Sequence, residues 1–385
     1  MELNVGLVGY KFMGKAHSSA WDRVSKFFDP TAAINMKAIC GRDPDWVQES
    51  QKRFGWESYE TSWEKLIERK DIDIIDITAP SNVHKEIALK AASAGKHIFC
   101  EKPLALTLAD SREMLEAVNK AGIKGQVGFN YRFCPAMLMA KRIVEEGKLG
   151  KIFHFRGRFL QDWIVDPSFP LVWRLDKTVA GSGSHGDLGA HVIDAARILV
   201  GEFDEVIGVS ETFVKKRPIV ERMEGLSGKA DENAPKGNVT VDDATIFLIR
   251  FENGALGHIE ATRFSLGHKN DLGFEINGSK GSIRFSFERM NELEYFSADD
   301  DPDKQGFRLI QCSEGVHPYC EHWWPAGHIL GYDTSFVHEM YEFVESIAND
   351  KPTNPGFEDG VKCCQILEAV DLSIERRTWV KVSSI

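Results

Sequence analysis

The 385-residue chain is predicted to be an α/β protein with two parts. The first is a doubly wound parallel sheet of the Rossmann type. The second is an α+β region built on a large, predominantly antiparallel open sheet. Two observations carry this expectation. Up to about residue 130, short apolar runs alternate with amphipathic segments of about 10 to 15 residues, the pattern of βαβ units. Beyond residue 150 the apolar period changes to two, which marks strands with one wet face. The expected division is 1–130 for the first part and 131–385 for the second.

Asn4 to Val8 reads as the first strand, followed by glycine and a helix from Gly14 to Phe28. Met36–Cys40 is the second strand and Pro44–Phe54 the second helix, with proline near its start. Ile72–Ile77, a helix from Val83 to Ala94, His97–Cys100, Leu108–Ala121 and Gln126–Phe129 continue the alternation. A helix from Pro135 to Glu146 leads into the alternating run Ile152–Phe159. Further strands are expected at Glu205–Phe213, Ala244–Phe251, Ala255–Thr262, Leu272–Ile276 and Ser282–Phe287, with turns at Asn253-Gly254 and Asn277-Gly278. Lys215–Asn238 and the acidic Ala298–Gly306 read as loops, the first long enough to be a lid or an arm to a neighbouring subunit. The helices Ser335–Asn349 and Glu358–Arg376 complete the chain.

Composition narrows the function. A net charge of -11 excludes the basic footprint of a nucleic-acid partner. Lys215-Lys216-Arg217, the one dense basic cluster, reads as a solvated loop. No run of about 18 apolar residues points to a membrane span. The first residues go straight into a strand, so no secretory leader is expected. Seven cysteines without zinc-type spacing suit a reduced, cytoplasmic protein. The histidines at 317, 322 and 328 lack ligand spacing and an acid cluster, so no metal is expected.

Between the first strand and helix stands Gly9-Tyr10-Lys11-Phe12-Met13-Gly14. A dinucleotide fingerprint wants three glycines here, so that a pyrophosphate meets free amides at a helix N-terminus. Gly9 and Gly14 fit, whereas Lys11 replaces the middle glycine and adds a positive charge. Phe12 and Met13 complete the cofactor-binding loop, and His17 faces either the pyrophosphate or solvent. At the end of the second strand, Gly41 holds the position where an NAD site usually places an acid. Arg42 follows and suits a 2′-phosphate, so the cofactor is expected to be NAD(P), leaning to NADP. Asp43 is either that acid or a helix cap. Thr78, Pro80, Asn82 and His84 after the third strand, and Glu101 and Lys102 after the fourth, lie where such sheets bind ligands.

In the second part, Gly181-Ser182-Gly183-Ser184 leads into His185-Gly186-Asp187-Leu188-Gly189-Ala190-His191. Read as a helix, Asp187 and His191 share one face and make an acid/base pair. His185 and Asp194 stand nearby without a role.

The V-G-x-x-G-x-x-x-M-G start, the Glu101-Lys102-Pro103 tripeptide and the D-x-G-x-H segment together resemble the glucose-fructose oxidoreductase/inositol dehydrogenase (Gfo/Idh/MocA) family over the whole chain. Gln161-Asp162-Trp163, Pro170–Arg174 and the aromatic His317–Trp324 segment look most like its branch acting on sugars, anhydrosugars and glycosides. The resemblance implies NAD(P)-dependent oxidation of a secondary hydroxyl of a sugar, anhydrosugar, glycoside or cyclitol. It implies Lys102, Asp187 and His191 as the catalytic set. His191 would be the base, Asp187 would bind the hydroxyl and steady the imidazolium, and Lys102 would hydrogen-bond the same oxygen, with a base role for Lys102 left open. Asn130, Tyr131, Arg132, Gln161, Trp173 and Arg174 are expected to hold other hydroxyls, the last two also the cofactor. The family also implies a homodimer or homotetramer through the open sheet. The alternatives are an NAD-dependent glycosidase of the same family and a non-catalytic nucleotide sensor. The aromatic segment is left as a sugar-stacking wall or an interface plug.

Overall fold

A computed structural model describes residues 1–220 and 234–385. The chain begins β1 (Glu2–Val8), α1 (Phe12–Phe27), β2 (Ala33–Cys40), α2 (Pro44–Phe54), β3 (Ser58–Glu60), α3 (Trp63–Glu68), β4 (Ile74–Ile77), α4 (His84–Ser93), β5 (His97–Glu101), α5 (Leu108–Ala121) and β6 (Gly125–Gly128). All six strands are parallel, in the order β3-β2-β1-β4-β5-β6. This is the doubly wound order, and the sequence reverses direction between β1 and β4, the place where such sheets bind nucleotides. Every residue of β4 is buried, as parallel strands covered on both faces require. Local chemistry sets the helix ends. Asp43 accepts the amides of Asp45 and Trp46 before Pro44 opens α2, and Gly55 (φ 80°) ends it. Thr107 caps α5 on Asp110, and Gly122 (φ 64°) ends it.

There follow α6 (Pro135–Glu145), β7 (Ile152–Leu160), α7 (Lys177–Ala180), a π-helical turn (His185–Gly189), α8 (Ala190–Leu199), β8 (Phe203–Glu211), β9 (Lys216–Pro218), β10 (Lys236–Asn238), β11 (Ala244–Phe251), β12 (Leu256–Thr262), β13 (Asp271–Gly278), β14 (Gly281–Ser286), β15 (Glu292–Ser297) and β16 (Arg308–Gln311). A nine-stranded sheet runs β16-β15-β14-β13-β7-β12-β11-β8 and ends on β17 (Val380–Lys381). Among the described residues of this sheet, only β7 and β12 pair in parallel. Along β11 buried and exposed residues alternate, so one face packs against the π-helical turn while the other is wet. The expected 215–238 loop is partly a strand pair, since β9 and β10 form a small antiparallel sheet. Residues 221–233 lie outside the described residues. Arg217, read from sequence as solvated, is fully buried and donates to the carbonyls of Asp166 at 2.9 Å and Ile164 at 2.5 Å. It closes a loop whose core is Ile164, Phe169, Leu175, Val239 and Val241.

The chain forms two compact units, 1–133 with 331–364, and 134–330 with 365–385. The return segment carries α9 (Tyr332–Ala348), whose Phe336, Val337, Met340 and Phe343 are wholly buried. It belongs to the first unit because it covers the apolar face of α1, with Tyr341 stacked on Phe28. Helix α10 (Phe357–Arg376) begins in one unit and ends in the other. No described helix is long and apolar enough to cross a membrane.

Candidate active site

In the first unit, Gly9 sits at φ +113°, and a Cβ there would lie 2.6 Å from the Thr78 hydroxyl. A Cβ on Gly14 would lie 2.2 Å from the Gly9 carbonyl oxygen. The two glycines and Thr78, which donates to the Val8 carbonyl at 2.9 Å, bring β1, α1 and the end of β4 together. Helix α1 starts at Phe12, earlier than Gly14 as expected, with exposed Lys11 at its N-cap and no side chain capping the first amides. Those amides form a cradle suited to a pyrophosphate. Phe12 is exposed and Met13 half-buried beside it.

Gly41 is required for a different reason. A Cβ there would meet the Tyr10 ring at 2.0 Å, so the ring lies across the end of β2. Burial, with the charge of Asp43, raises the Tyr10 hydroxyl above its usual range. Of the two roles open to Asp43 the structure shows the cap, with Oδ1 accepting two amides at 3.1 Å. Arg42 is exposed.

Beyond β4, Pro80 precedes a 3-10 turn on which Asn82 is exposed. His84 is buried, its ring nitrogens 2.9 Å from the Ala79 carbonyl and 3.2 Å from that of Pro103. Burial lowers its pKa, and the ring braces the loops after β4 and β5. Glu101 is likewise buried. Oε1 meets His17 Nε2 at 3.0 Å, and Oε2 accepts the Lys102 amide at 3.1 Å. The Lys102–Pro103 peptide is cis. His17 is on neither of its expected surfaces: it is wholly buried, with Nδ1 3.0 Å from both Asp76 oxygens. Trp21 donates to the same carboxylate at 2.7 Å. Burial alone would lower the imidazole pKa, but the Asp76 charge and hydrogen bonds from Asp76 and Glu101 raise it to about 10. The result is a buried imidazolium between two carboxylates, one of them the residue before Lys102.

Asn130 donates to Ser335 Oγ at 2.9 Å, Tyr131 is buried near Tyr332, and Arg132 binds Asn354 at 2.7 Å and Asp359 at 3.1 Å. These three tie β6 to the return segment.

In the second unit, Asp187 lies in the π-helical turn and His191 in the first turn of α8. The expected single α-helix is therefore interrupted at its entrance. A π turn widens the spiral and re-aims the side chains it carries, and such turns occur often at functional sites. Asp242 explains how the turn is held. Its carboxylate accepts Gly183 N at 2.7 Å, His185 N at 2.8 Å, Ser184 Oγ at 2.5 Å and Thr245 Oγ1 at 3.1 Å. Burial pushes the Asp242 carboxyl up, but neighbouring His185 and these hydrogen bonds outweigh it and hold it below the usual range. Gly183 has no alternative here, because a Cβ would stand 1.8 Å from the Asp242 carbonyl oxygen. His185 is buried with Nε2 3.1 Å from the Leu367 carbonyl, and Asp194 is buried within α8.

Arg263, just past β12, donates Nη2 to Asp187 Oδ2 at 2.7 Å. Its guanidinium lies 5.5 Å from the Trp163 ring centre, and Trp163 in turn donates to Gln161 Oε1 at 2.8 Å. Gln161 Nε2 donates to Asn270 at 2.8 Å, so this amide orients Trp163. Buried His191 has its ring centre 5.9 Å from that of Phe159. Trp173 and Arg174 share a 3-10 turn, the guanidinium 4.4 Å over the indole. Asp187, Gln161 and Trp163 thus form one connected group. Sequence reasoning missed Arg263 and Asp242, whose only signal was a charged residue at a strand end.

Of the aromatic segment, Trp323 is buried and Trp324 exposed. One His/Asp/Glu group among the described residues is close enough to share a cation: His268, Asp271 and Glu288. Its carboxylates are already engaged, Asp271 by Arg158 at 2.7 Å and Glu288 by the amides of Lys269 and Asn270.

Residues 3–129 match the oxidoreductase family with the NAD-binding Rossmann fold, and residues 137–284 match the GFO/IDH/MocA C-terminal domain. Levoglucosan dehydrogenase of Pseudarthrobacter phenanthrenivorans is 44% identical, with all of this chain and 99% of that protein covered. Myo-inositol 2-dehydrogenase of Thermotoga maritima is 27% identical over all of this chain and 99% of that one. A solved levoglucosan dehydrogenase, in complex with NADH and levoglucosan, superposes with a TM-score of 0.94 at 43% identity, covering 99% of this chain and all of that one. With both halves matched in order, the chain belongs to the Gfo/Idh/MocA family of oxidoreductases.

Proposed function

We propose that this protein oxidises a secondary hydroxyl of a sugar, anhydrosugar, glycoside or cyclitol to the ketone, with NAD(P) as hydride acceptor. The observation that carries the reading is the placement of a carboxylate, Asp187, and an imidazole, His191, at the entrance of α8, in a chain similar throughout to enzymes named for levoglucosan and inositol. Gly9, Gly14 and the uncapped start of α1 fit the pyrophosphate. When bound, the nicotinamide accepts the hydride from the carbinol carbon. The protein's residues do the rest. His191 takes the hydroxyl proton on a ring nitrogen, imidazole being the side chain most often used for such transfer at neutral pH. Asp187 orients the hydroxyl and favours the imidazolium, and Lys102 is the third member of the catalytic set that the family resemblance implies.

The finer features of the reading rest on single observations. Arg42, exposed at the end of β2 with Asp43 occupied as a cap, favours use of NADP alongside the NAD of its relatives. On the wet sheet face, Val209 beside Ile246 and Ile207 beside Leu248 form an apolar patch, which supports a homodimer or homotetramer. Seven buried thiols suit the cytoplasm.

The test is a panel of levoglucosan, other sugars, glycosides and inositols with NAD or NADP, read at the reduced-nicotinamide absorbance band. At least one sugar or cyclitol is expected to give stoichiometric reduced cofactor, and Lys102→Ala to lower that turnover at least about 100-fold. A panel that yields no reduced cofactor, or an unimpaired Lys102→Ala, defeats the reading.

A further inference from the structure

Behind Asp187 lies a set of buried charges that neither nucleotide binding nor hydride transfer explains. The Arg263 side chain is 1% exposed, and its Nη2 serves Asp187 at 2.7 Å and the Gly183 carbonyl at 3.3 Å. Its Nε and Nη1 are buried without a hydrogen-bond partner among the described residues, as are Arg217 Nε and Asp243 Oδ1. Asp243 uses its other oxygen on the amides of Phe213 and Val214 and lies within electrostatic reach of both arginines. A buried guanidinium with two nitrogens unsatisfied contributes little to folding, because its desolvation is only partly offset. An apolar side chain of similar size would serve the packing better. What Arg263 does make is one short ion pair, and that pair ends on the residue assigned to the substrate hydroxyl. The same nitrogen touches the glycine whose amide Asp242 anchors, so carboxylate and turn are fixed from a single point.

We propose that Arg263 is a positioning residue for sugar oxidation, holding the Asp187 carboxylate charged and in one orientation beneath the reacting hydroxyl. The proposal rests on the reading that Asp187 belongs to the catalytic set. The indole of Trp163 lies against one side of the guanidinium, and Gln161 sets that indole. Arg263 acts mainly through Asp187, its shorter contact, so most of the effect of its removal should require Asp187.

The experiment is a double-mutant cycle in the full chain, with levoglucosan and NAD as probes. Arg263→Gln removes the charge but keeps a donor, and Arg263→Lys restores the charge. Arg263→Gln is expected to lower kcat about 30-fold with KM for NAD changed less than about twofold, and Arg263→Lys to recover about a third of the wild-type kcat. In an Asp187→Asn background, Arg263→Gln is expected to cost no more than about threefold. Wild-type kcat in Arg263→Gln overturns the proposal, as does an equal loss in both backgrounds. Failure of both Arg263 variants to fold, judged by thermal melting, assigns Arg263 to the fold and also overturns it. Failure of the underlying reading looks different: wild-type protein inert towards every member of the sugar and cyclitol panel, whose best substrate replaces levoglucosan if levoglucosan is not turned over, or Asp187→Asn fully active, defeats both.

Discussion

His17 shows how far a single side chain departs from what its place in the chain suggests. Its position one turn into α1 points to a phosphate or to solvent, yet it bonds Asp76 and Glu101 in the interior. No one-dimensional pattern reveals this, because its partners are 59 and 84 residues away. With a folded pKa of about 10 against about 6.5 unfolded, its stabilisation is complete below pH 6.5 and disappears as pH rises through 10. Replacement by Gln leaves two buried carboxylates without a cation and should cost about 3–5 kcal/mol at neutral pH. Denaturant unfolding of wild type and His17→Gln should show that gap shrinking between pH 7 and pH 10. A pH-independent gap would deny His17 its charge. At the mouth of β2, Arg42→Ala should lower kcat/KM for NADP about tenfold more than for NAD. Equal losses with the two cofactors would remove the basis for NADP use. Arg263, Arg217 and Asp242 were equally hidden, since a buried ion pair or carbonyl clamp is a property of the fold and not of neighbours in sequence.

Among the elements, those with strong local punctuation were readable. Helices α2 and α5 have their expected limits because Asp43, Pro44 and Gly55, or Thr107 and Gly122, close both ends. Strand β11 is likewise legible from its strict alternation. Strand β3 and helix α3, of three and six residues, were too short to carry a period. The π-helical turn was unreadable for another reason: its sequence suits an α-helix, and only Asp242, more than 50 residues later, defines its entrance. Gly183→Ala tests that element. Its new methyl meets backbone 1.8 Å away, so the turn must shift and carry Asp187 and His191 with it. A shift of this kind should lower kcat about 100-fold while cofactor binding, measured by fluorescence titration of the reduced nucleotide, stays near wild type. Unchanged turnover would show that the turn's shape is immaterial to the chemistry.

At the scale of the molecule, a Rossmann sheet and an open mixed sheet were both legible as changes of apolar period, from helical spacing to two. The wet face of the second sheet is suited to self-association. Beyond its apolar patch, Arg156, Glu275 and Arg284 form a ladder of opposite charges, with Arg284 Nε 2.9 Å from Glu275. A two-fold pairing of such faces, in the proposed homo-oligomer, would bury the patch. Leu248→Glu should therefore reduce the proposed homo-oligomer, measured by light scattering after gel filtration, to the monomer. An unchanged mass would move the interface elsewhere. The return of residues 331–364 to the first unit also bears on how the protein is made. During synthesis the nucleotide-binding half leaves the ribosome long before α9, and until then the face of α1 that α9 covers stays bare. A nascent chain in that state is a natural client for chaperones that shield apolar surface. Cutting the gene near residue 133 would yield not a small nucleotide-binding domain but an aggregating fragment, rescued only when the distant helix is supplied in trans or spliced back in.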